Sequence, residues 1–226
     1  MKLYFSPMAC SLSARIALHE AEALDPSFQA VEFVEVDTRA QRASDGADYR
    51  SIHGLGLVPA LALPSGEVLT ENAAVLQYIA EAFPRARLIP SDPSGRARVR
   101  QWLSFIGTEL HKSVYVPLLD RTAPESVKAY ALAKAGPRFG WLAEQLGERE
   151  FLLADFSVAD AYLSTVLNWS SVTALRLERW PVLEAYLKRL QARPSIARAL
   201  GEELGLYRAR RAAPPAPPLG THVKGV

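Results

Sequence analysis

The 226 residues are 49% hydrophobic and 22% charged with a formal net charge of +2, which is ordinary for a globular chain with a sizeable core in one large or two small domains. One cysteine excludes an internal disulfide framework and fits a reducing compartment. The N-terminal apolar run is too short for a signal peptide, and no run approaches the roughly 18 apolar residues of a membrane-spanning helix, so we expect a cytoplasmic protein with no membrane partner.

The only cysteine lies where a strand-like run gives way to a helix-like pattern. Lys2 to Phe5 predicts a strand, and the spacing of Ala14, Leu18 and their apolar neighbours predicts a helix. At this junction, unpaired backbone N–H groups and the helix dipole would stabilise a thiolate and lower the pKa of Cys10. The alternative is that the cysteine is a small buried hydrophobic residue.

The next elements follow in short segments. A Val- and Phe-rich stretch at residues 28–36 predicts a second strand, and a polar loop follows it. Residues 60–63 and 68–69 predict a hairpin across the turn Pro64–Glu67. A helix begins at Glu71-Asn72 and stops at Pro84. The predicted order for the first half is therefore β-α-β-loop-β-β-α.

The second half is helical in pattern. Residues 85–94 are rich in Pro and Ser and indicate a linker. Pro124 and Pro181 each precede a helical pattern, and Pro194 either ends the second of these helices or begins a short last one. Ser157-Val158-Ala159-Asp160 has the S-x-x-[DE] form of a capping box, in which the two side chains satisfy backbone N–H groups at a helix start.

These patterns divide the chain into residues 1–84, a linker at 85–94, a helical domain at 95–207 and an Ala/Pro-rich tail at 208–226, which we expect to be extended or disordered. Residues 1–84 contain five Lys/Arg and eleven Asp/Glu, a net charge of −6, whereas the remainder carries +8. Opposite charge suits two domains that dock on each other. No aromatic platform is interleaved with the basic residues, so we expect no nucleic-acid partner.

Five segments in this order resemble the cytosolic glutathione S-transferases, and specifically the bacterial beta class. They are MKLYFSPMACSLS at the start, VPALAL at 58–63, TENAAVLQYIAE at 70–81, TELHK at 108–112 and FSVADAYL at 156–163. The resemblance covers roughly residues 1–205. It implies an α/β thioredoxin-like N-terminal domain followed by an all-α domain. It also implies a homodimeric detoxification enzyme that conjugates glutathione, its co-substrate, to small hydrophobic electrophiles without a metal.

The resemblance also assigns residues to glutathione binding. Pro59 matches the family's cis proline, which would let Val58, with its neighbour Leu57, present backbone groups to a peptide ligand. Glu71 and Asn72 match the acidic-polar pair that grips the γ-glutamyl end, where a helix N-terminus attracts a carboxylate. A plain helix cap is the alternative role for Asn72.

The same resemblance implies the residues that handle sulfur. Cys10 would hold glutathione as a thiolate or as a mixed disulfide, with Ser11 as a hydroxyl donor to the sulfur. His111 and Lys112 match a His-Lys pair that faces the cysteine across the domain cleft, with Lys112 assigned to glutathione binding. The alternative for His111 is a surface histidine that serves only as a hydrogen-bonding group. Ser104, Gly107, Thr108, His111 and Tyr115 share a helix face at spacings of three and four, which predicts the cleft wall. The electrophile would bind near Tyr115 and Trp169, and His53 would approach the site.

Two loops depart from the family pattern. The family's lysine that reaches the glycine carboxylate of glutathione falls at Gln41, which the resemblance assigns to glutathione binding, with Arg39 and Arg42 beside it as alternative sources of positive charge. A positive residue before the cis proline has become Leu55. Both changes remove positive charge near an anionic ligand. The alternative function is therefore a non-catalytic ligand-binding or regulatory protein on the same fold.

Overall fold

The computed structural model describes residues 1–212 and contains a five-stranded mixed sheet followed by helices. The strands lie in the order β3-β2-β1-β4-β5, with β1 and β2 parallel and the other neighbours antiparallel. Their bounds are β1 Lys2–Phe5, β2 Glu32–Asp37, β3 Arg42–Ala43, β4 Ala60–Ala62 and β5 Val68–Leu69.

Alternation along the central strand separates two cores. Leu3 and Phe5 belong to the main core with α1 and α2. Tyr4 points to the other face, where it packs with Val34 and Tyr49. Tyr49 begins a short 3₁₀ helix, Tyr49–Ser51, within the segment that the sequence predicted as a loop.

Eight α-helices and one π-helical segment are described between residues 1 and 212. They are α1 Leu12–Leu24, α2 Asn72–Ala82, α3 Pro93–Phe105, the π segment Ile106–Tyr115, α4 Val116–Leu119, α5 Glu125–Leu146, α6 Val158–Asn168, α7 Pro181–Gln191 and α8 Pro194–Ala212. In that range, none is long and apolar enough to cross a membrane.

The predicted capping box is present at the start of α6. Ser157 Oγ accepts a hydrogen bond from the Ala159 N–H at 3.3 Å, and Asp160 Oδ2 accepts from the Ser157 N–H at 2.9 Å. Asp160 is fully buried, and its Oδ1 also accepts from Tyr186 Oη at 2.7 Å and from the Leu152 N–H at 2.8 Å. The box therefore joins α6, α7 and the preceding loop.

Four boundaries correct the sequence predictions. β2 begins at Glu32 rather than at residue 28, and the two-residue β3 pairs with its end. The predicted linker ends earlier than residue 94, because α3 begins at Pro93 with Asp92 as its cap. Pro194 begins a 19-residue helix rather than a short one, and this helix runs to Ala212. The tail predicted from residue 208 is thus helical at its start, and residues 213–226 lie outside the described residues.

The two halves share one core and are joined by ion pairs. The main core contains Leu3 and Ile16 from the first half and Leu103 and Phe139 from the second. Several acidic residues of the first half pair with arginines of the second, as the charge asymmetry suggested. These pairs are Glu20–Arg193, Glu22–Arg198, Glu35–Arg210 and Glu81–Arg96.

Candidate active site

A cleft of about 1060 Å³ lies between the sheet loops and the helical half. Its lining from the first half is Ser6, Pro7, Met8, Ala9, Cys10, Thr38, His53, Leu57, Val58, Pro59, Glu71, Asn72, Ala73 and Gln77. Its lining from the second half is Arg100, Leu103, Ser104, Gly107, Thr108, His111, Lys112, Val116, Leu119, Tyr162, Asn168, Trp169, Ser171, Val172, Leu204 and Tyr207. A concave, mainly apolar surface with a few convergent polar groups is the usual form of a small-molecule site.

Cys10 lies on the floor of this cleft, in the loop between β1 and α1. Its thiol donates a hydrogen bond to the Val58 carbonyl at 3.1 Å. Burial raises the pKa of Cys10 to about 11, and the charge of Lys112 and the backbone amides of Cys10 and Ser11 oppose this only in part. The predicted lowering of this pKa is therefore wrong for the ligand-free cleft, because desolvation of the thiolate outweighs the helix terminus.

Ser11 does not join the cysteine in the cleft. The residue is fully buried, and its hydroxyl accepts from the Ser6 N–H at 3.2 Å and donates to the Ser6 carbonyl at 3.3 Å. The side chain thus closes the turn that carries Cys10. The expectation that Ser11 donates to the sulfur is not supported, since its hydroxyl is committed to the backbone.

The cis peptide expected at Val58-Pro59 is present. Val58 and Leu57 line the cleft, and the Leu57 carbonyl is held by Tyr49 Oη at 2.7 Å. The predicted backbone edge for a peptide ligand therefore stands directly beside the thiol.

Gln41 lies behind this edge rather than on it. Its side-chain amide donates to the carbonyl of Thr38 and, at 3.3 Å, to that of Gly56. Gly56 beside it has φ of 65°, a backbone conformation that favours glycine. Gln41 does not line the cleft, and its predicted contact with glutathione finds no support in this geometry.

The start of α2 opens into the cleft as predicted, although the two residues there have different roles. Glu71 is exposed and adopts a left-handed backbone conformation with φ of 64°, which costs energy in a non-glycine residue. Asn72 is buried, and its Nδ2 donates to Ser13 Oγ at 3.0 Å. The Asn72 amide therefore fastens α2 to α1. The N-terminus of α2 has no side-chain cap, so its backbone N–H groups can bind a ligand.

His111 and Lys112 reach the cleft from the π segment. His111 is 8% exposed, its Nδ1 lies 2.7 Å from Tyr162 Oη, and its ring packs edge-on against Trp169. Burial, assisted by the charge of Lys112, lowers the pKa of His111 to about 4. The imidazole is therefore neutral at neutral pH, whereas Lys112 is exposed at the cleft surface.

The predicted cleft face is correct at four of its five positions. Ser104, Gly107, Thr108 and His111 line the cleft. Tyr115 instead has no exposed surface, and its hydroxyl lies 2.6 Å from Ser170 Oγ. The prediction assumed 3.6 residues per turn throughout, but the π segment has i→i+5 hydrogen bonding, so its side chains drift out of that register.

The sequence reasoning missed Tyr162 as a cleft residue. Burial raises the pKa of Tyr162, and hydrogen bonding to Asn72 opposes the shift. Its hydroxyl thus contacts both His111 and Asn72, which joins the second half to the start of α2. The segment FSVADAYL was used for the family resemblance and for helix capping, and its tyrosine was given no role in the cleft because a tyrosine at apolar spacing also suits a core position.

Met8 was also missed, as was its contact with Glu203. Met8 has φ of 63°; its N–H donates to Glu203 Oε2 at 2.7 Å, and its carbonyl accepts from Trp169 Nε1 at 2.9 Å. The helical half thus holds both polar groups of a residue two positions before Cys10. The predicted placement of Trp169 at the cleft is correct, and so is that of His53.

Comparisons with known proteins agree with this geometry. Residues 7–82 match the family model described as glutathione S-transferase, N-terminal domain. The chain is also 36% identical over 205 residues to glutathione S-transferase GstA of Escherichia coli O157:H7, which covers 90% of this chain and 98% of the relative. The chain belongs to the glutathione S-transferase family.

Solved structures show which class within the family this transferase resembles. A bacterial beta class glutathione S-transferase of Sphingomonas chungbukensis is 39% identical, with a TM-score of 0.83 over 90% of this chain and 98% of that one. A sphingomonad glutathione S-transferase complexed with glutathione is 38% identical, with the same TM-score and coverage. The beta class resemblance and the thioredoxin-like fold are confirmed, and the transferase function is supported over the non-catalytic alternative.

Metal ligands are not gathered in the described part of this transferase. Between residues 1 and 212, no group of three or more His, Cys, Asp or Glu side chains is arranged to hold a metal ion. The groups that line the cleft include the Cys10 thiol, the neutral imidazole of His111, the N-terminus of α2 and the cations Arg100 and Lys112.

Proposed function

We propose that this transferase binds glutathione with its sulfur beside Cys10 and conjugates that sulfur to a small hydrophobic electrophile. The observation that carries this proposal is the Cys10 thiol, 3.1 Å from the Val58 carbonyl, at the floor of a cleft with an otherwise mainly apolar wall. A peptide thiol and an apolar second reactant would both be held there, which replaces a collision in solution by a reaction within one complex.

Glutathione recognition is proposed to use the backbone more than side chains. The Val58 and Leu57 edge would pair with the ligand's peptide as a strand edge does. The N-terminus of α2 would attract the γ-glutamyl carboxylate, and Glu71 would pair with the ammonium group. Lys112 supplies positive charge at the cleft surface. In contrast, Asn72 would act by fixing α2 against α1 rather than by direct contact.

The role proposed for Cys10 follows from its protonation. With a pKa of about 11, the residue is a thiol at neutral pH and can donate its S–H to a bound thiolate. Glutathione would lose its proton to solvent, its sulfur would form a bond to the electrophilic carbon, and the leaving group would depart with the bonding pair. His111 would orient Tyr162 as a neutral hydrogen-bonding group.

Thiol–disulfide exchange is the second activity proposed for the same sulfur. The Cys10 thiolate would attack oxidised glutathione, forming a mixed disulfide and releasing one reduced glutathione. The high pKa makes this reaction slow at neutral pH, since the thiolate is the nucleophile. Reduced glutathione and a free thiol both suit the cytoplasm, which is the location we propose.

A homodimer is the proposed assembly. Opposite net charges on the two halves would let the acidic half of one subunit meet the basic half of the other. Leu55 and Tyr130 are 71% and 62% exposed, which is consistent with a covered surface in an assembly. Sedimentation analysis tests this, and a monomer at micromolar concentration would contradict it.

Capture on immobilised glutathione followed by a chlorodinitrobenzene conjugation assay tests the main proposal. Wild-type protein should bind and turn over, with turnover unaffected by a metal chelator. Binding without turnover would favour the ligand-binding alternative, and neither binding nor turnover would refute the proposal. Incubation with oxidised glutathione should add one glutathionyl mass, and Cys10→Ala is a clean control because the chain has one cysteine.

A further inference from the structure

Helix α8 continues past residue 205, where the motif resemblance to the family ends. The motif resemblance covers roughly residues 1–205, and about a tenth of this chain lies outside the matched relatives, although those relatives are covered to 98%. In the structure α8 nevertheless runs on to Ala212. The last two turns of this helix are therefore a feature of this chain for which the family resemblance gives no role.

This extension is fastened to the sheet next to the cleft. Arg210 donates from Nη1 to Ser6 Oγ at 3.1 Å and from Nη2 to the Val36 carbonyl at 2.7 Å. The same guanidinium lies 3.0 Å from Glu35 Oε1. Three acceptors on one arginine fix the end of α8 over the ends of β1 and β2, and Ser6 itself lines the cleft.

The face between these anchors looks into the cleft. Glu203, Tyr207 and Arg210 follow one another at spacings of four and three, so they share one side of α8. Glu203 holds the Met8 N–H at one end of this face, and Arg210 holds Ser6 at the other. Tyr207 lies between them on the same face and lines the cleft, as does Leu204. The segment they cover, Ser6 to Met8, leads directly to Cys10.

We infer that the extension of α8 beyond residue 205 is a specificity-determining wall, in which Tyr207 contacts the group carried on the glutathione sulfur and Arg210 holds Tyr207 in place. Tyr207 of this wall and Leu204, one turn before it, present aromatic and aliphatic surface, so this side of the cleft suits an apolar or aromatic substituent. Glutathione itself would be bound mainly by the other side of the cleft. This inference rests on the proposed glutathione transfer.

Paired binding measurements test it on the full chain. The affinities of glutathione and of S-hexylglutathione, which carries an apolar chain on the same sulfur, are measured by titration calorimetry. Tyr207→Ala should weaken S-hexylglutathione roughly tenfold and leave glutathione within about twofold. Arg210→Ala should act in the same direction with a smaller loss, because it releases the end of α8 from Ser6 but leaves the Tyr207 side chain in the cleft. Unchanged glutathione affinity shows that each variant is folded.

One matched control makes the outcome decisive. Leu206→Ala removes an exposed side chain of the same helix that does not line the cleft, and it should change neither affinity. Equal losses for both ligands, or an unchanged ratio in Tyr207→Ala, would overturn the inference.

A second probe separates this inference from the proposed function. If wild-type protein bound no glutathione, the proposed function would fail, and the wall could still be tested with the apolar dye anilinonaphthalene sulfonate. Tyr207→Ala should weaken the dye several-fold, whereas Leu206→Ala should not. Equal dye affinity in wild type and Tyr207→Ala would then refute the wall as well.

Discussion

Alkylation of Cys10 measures the ionisation of the site sulfur directly. The pKa of about 11 lies about two units above that of an ordinary cysteine, so at pH 8 the thiolate is about a hundredfold less populated. A more basic thiolate is intrinsically more nucleophilic, with a Brønsted coefficient of about 0.4–0.5, which recovers up to tenfold. We therefore expect iodoacetamide to modify the ligand-free protein roughly ten- to thirtyfold more slowly than a free cysteine at pH 8.

The pH profile is the decisive part of this experiment. The rate, followed by mass spectrometry, should rise about tenfold for each pH unit from pH 7 to pH 10, without a plateau. The signal has one source, because Cys10 is the only cysteine of the chain, and Cys10→Ala should give none. A plateau below pH 9 would refute the view that desolvation dominates, and it would restore the helix terminus and Lys112 as the controlling influences.

Three further predictions concern buried polar groups. Ser157→Ala should lower the free energy of unfolding by roughly 2 kcal/mol in urea titrations, since it removes a cap and a donor to buried Asp160, while exposed Ser171→Ala should cost under about 0.5 kcal/mol. Burial raises the pKa of Glu203 to about 7, so between pH 4.5 and 7 the native state keeps a proton that the unfolded chain loses. As the pH rises through this window, the free energy of unfolding should fall by roughly 3 kcal/mol at most relative to that of Glu203→Gln, and a rise would contradict this. The ring resonances of His111, assigned with His111→Gln, should not titrate between pH 5.5 and 8, and a midpoint near 6.5 would show a solvated imidazole.

The features that the sequence predicted well are those set by neighbouring residues. The capping box at Ser157 depends on two side chains three positions apart, and both of its hydrogen bonds are present. The strand Lys2–Phe5 and the hairpin return at Val68–Leu69 follow from short apolar runs and turn residues. These features can be predicted because the interacting groups are close together along the chain and do not depend on the packing of distant segments.

Two predictions failed because they treated a helix as perfectly regular or as isolated from the rest of the protein. Tyr115 was placed on the cleft wall by a 3.6-residue repeat, and the π segment moves it into the core. The pKa of Cys10 was predicted from the helix start alone, but burial in the folded cleft raises this pKa and outweighs the opposing charge of Lys112. Neither the π segment nor the desolvation could be deduced from the residues nearby.

Contacts between distant segments had no local sequence signal. Glu203 is 195 residues from Met8 in the chain, and Arg210 is 204 residues from Ser6. In the sequence, Glu203 and Arg210 are two of many charged residues on a helix whose charged face is expected to contact solvent. Burial of Glu203 and Arg15 against each other becomes evident only when α8 is packed on α1.

The turn that carries the thiol is held mainly by groups that belong to other elements. Ser11, just before α1, closes this turn. Trp169 and Glu203 bind Met8 from the second half, and Arg210 binds Ser6 from the end of α8. The position of Cys10 therefore depends on how the two halves dock, rather than on the thioredoxin-like domain alone. A substitution in α8 can thus alter sulfur chemistry without touching a ligand, which is why glutathione affinity and alkylation rate need to be measured together for every α8 variant.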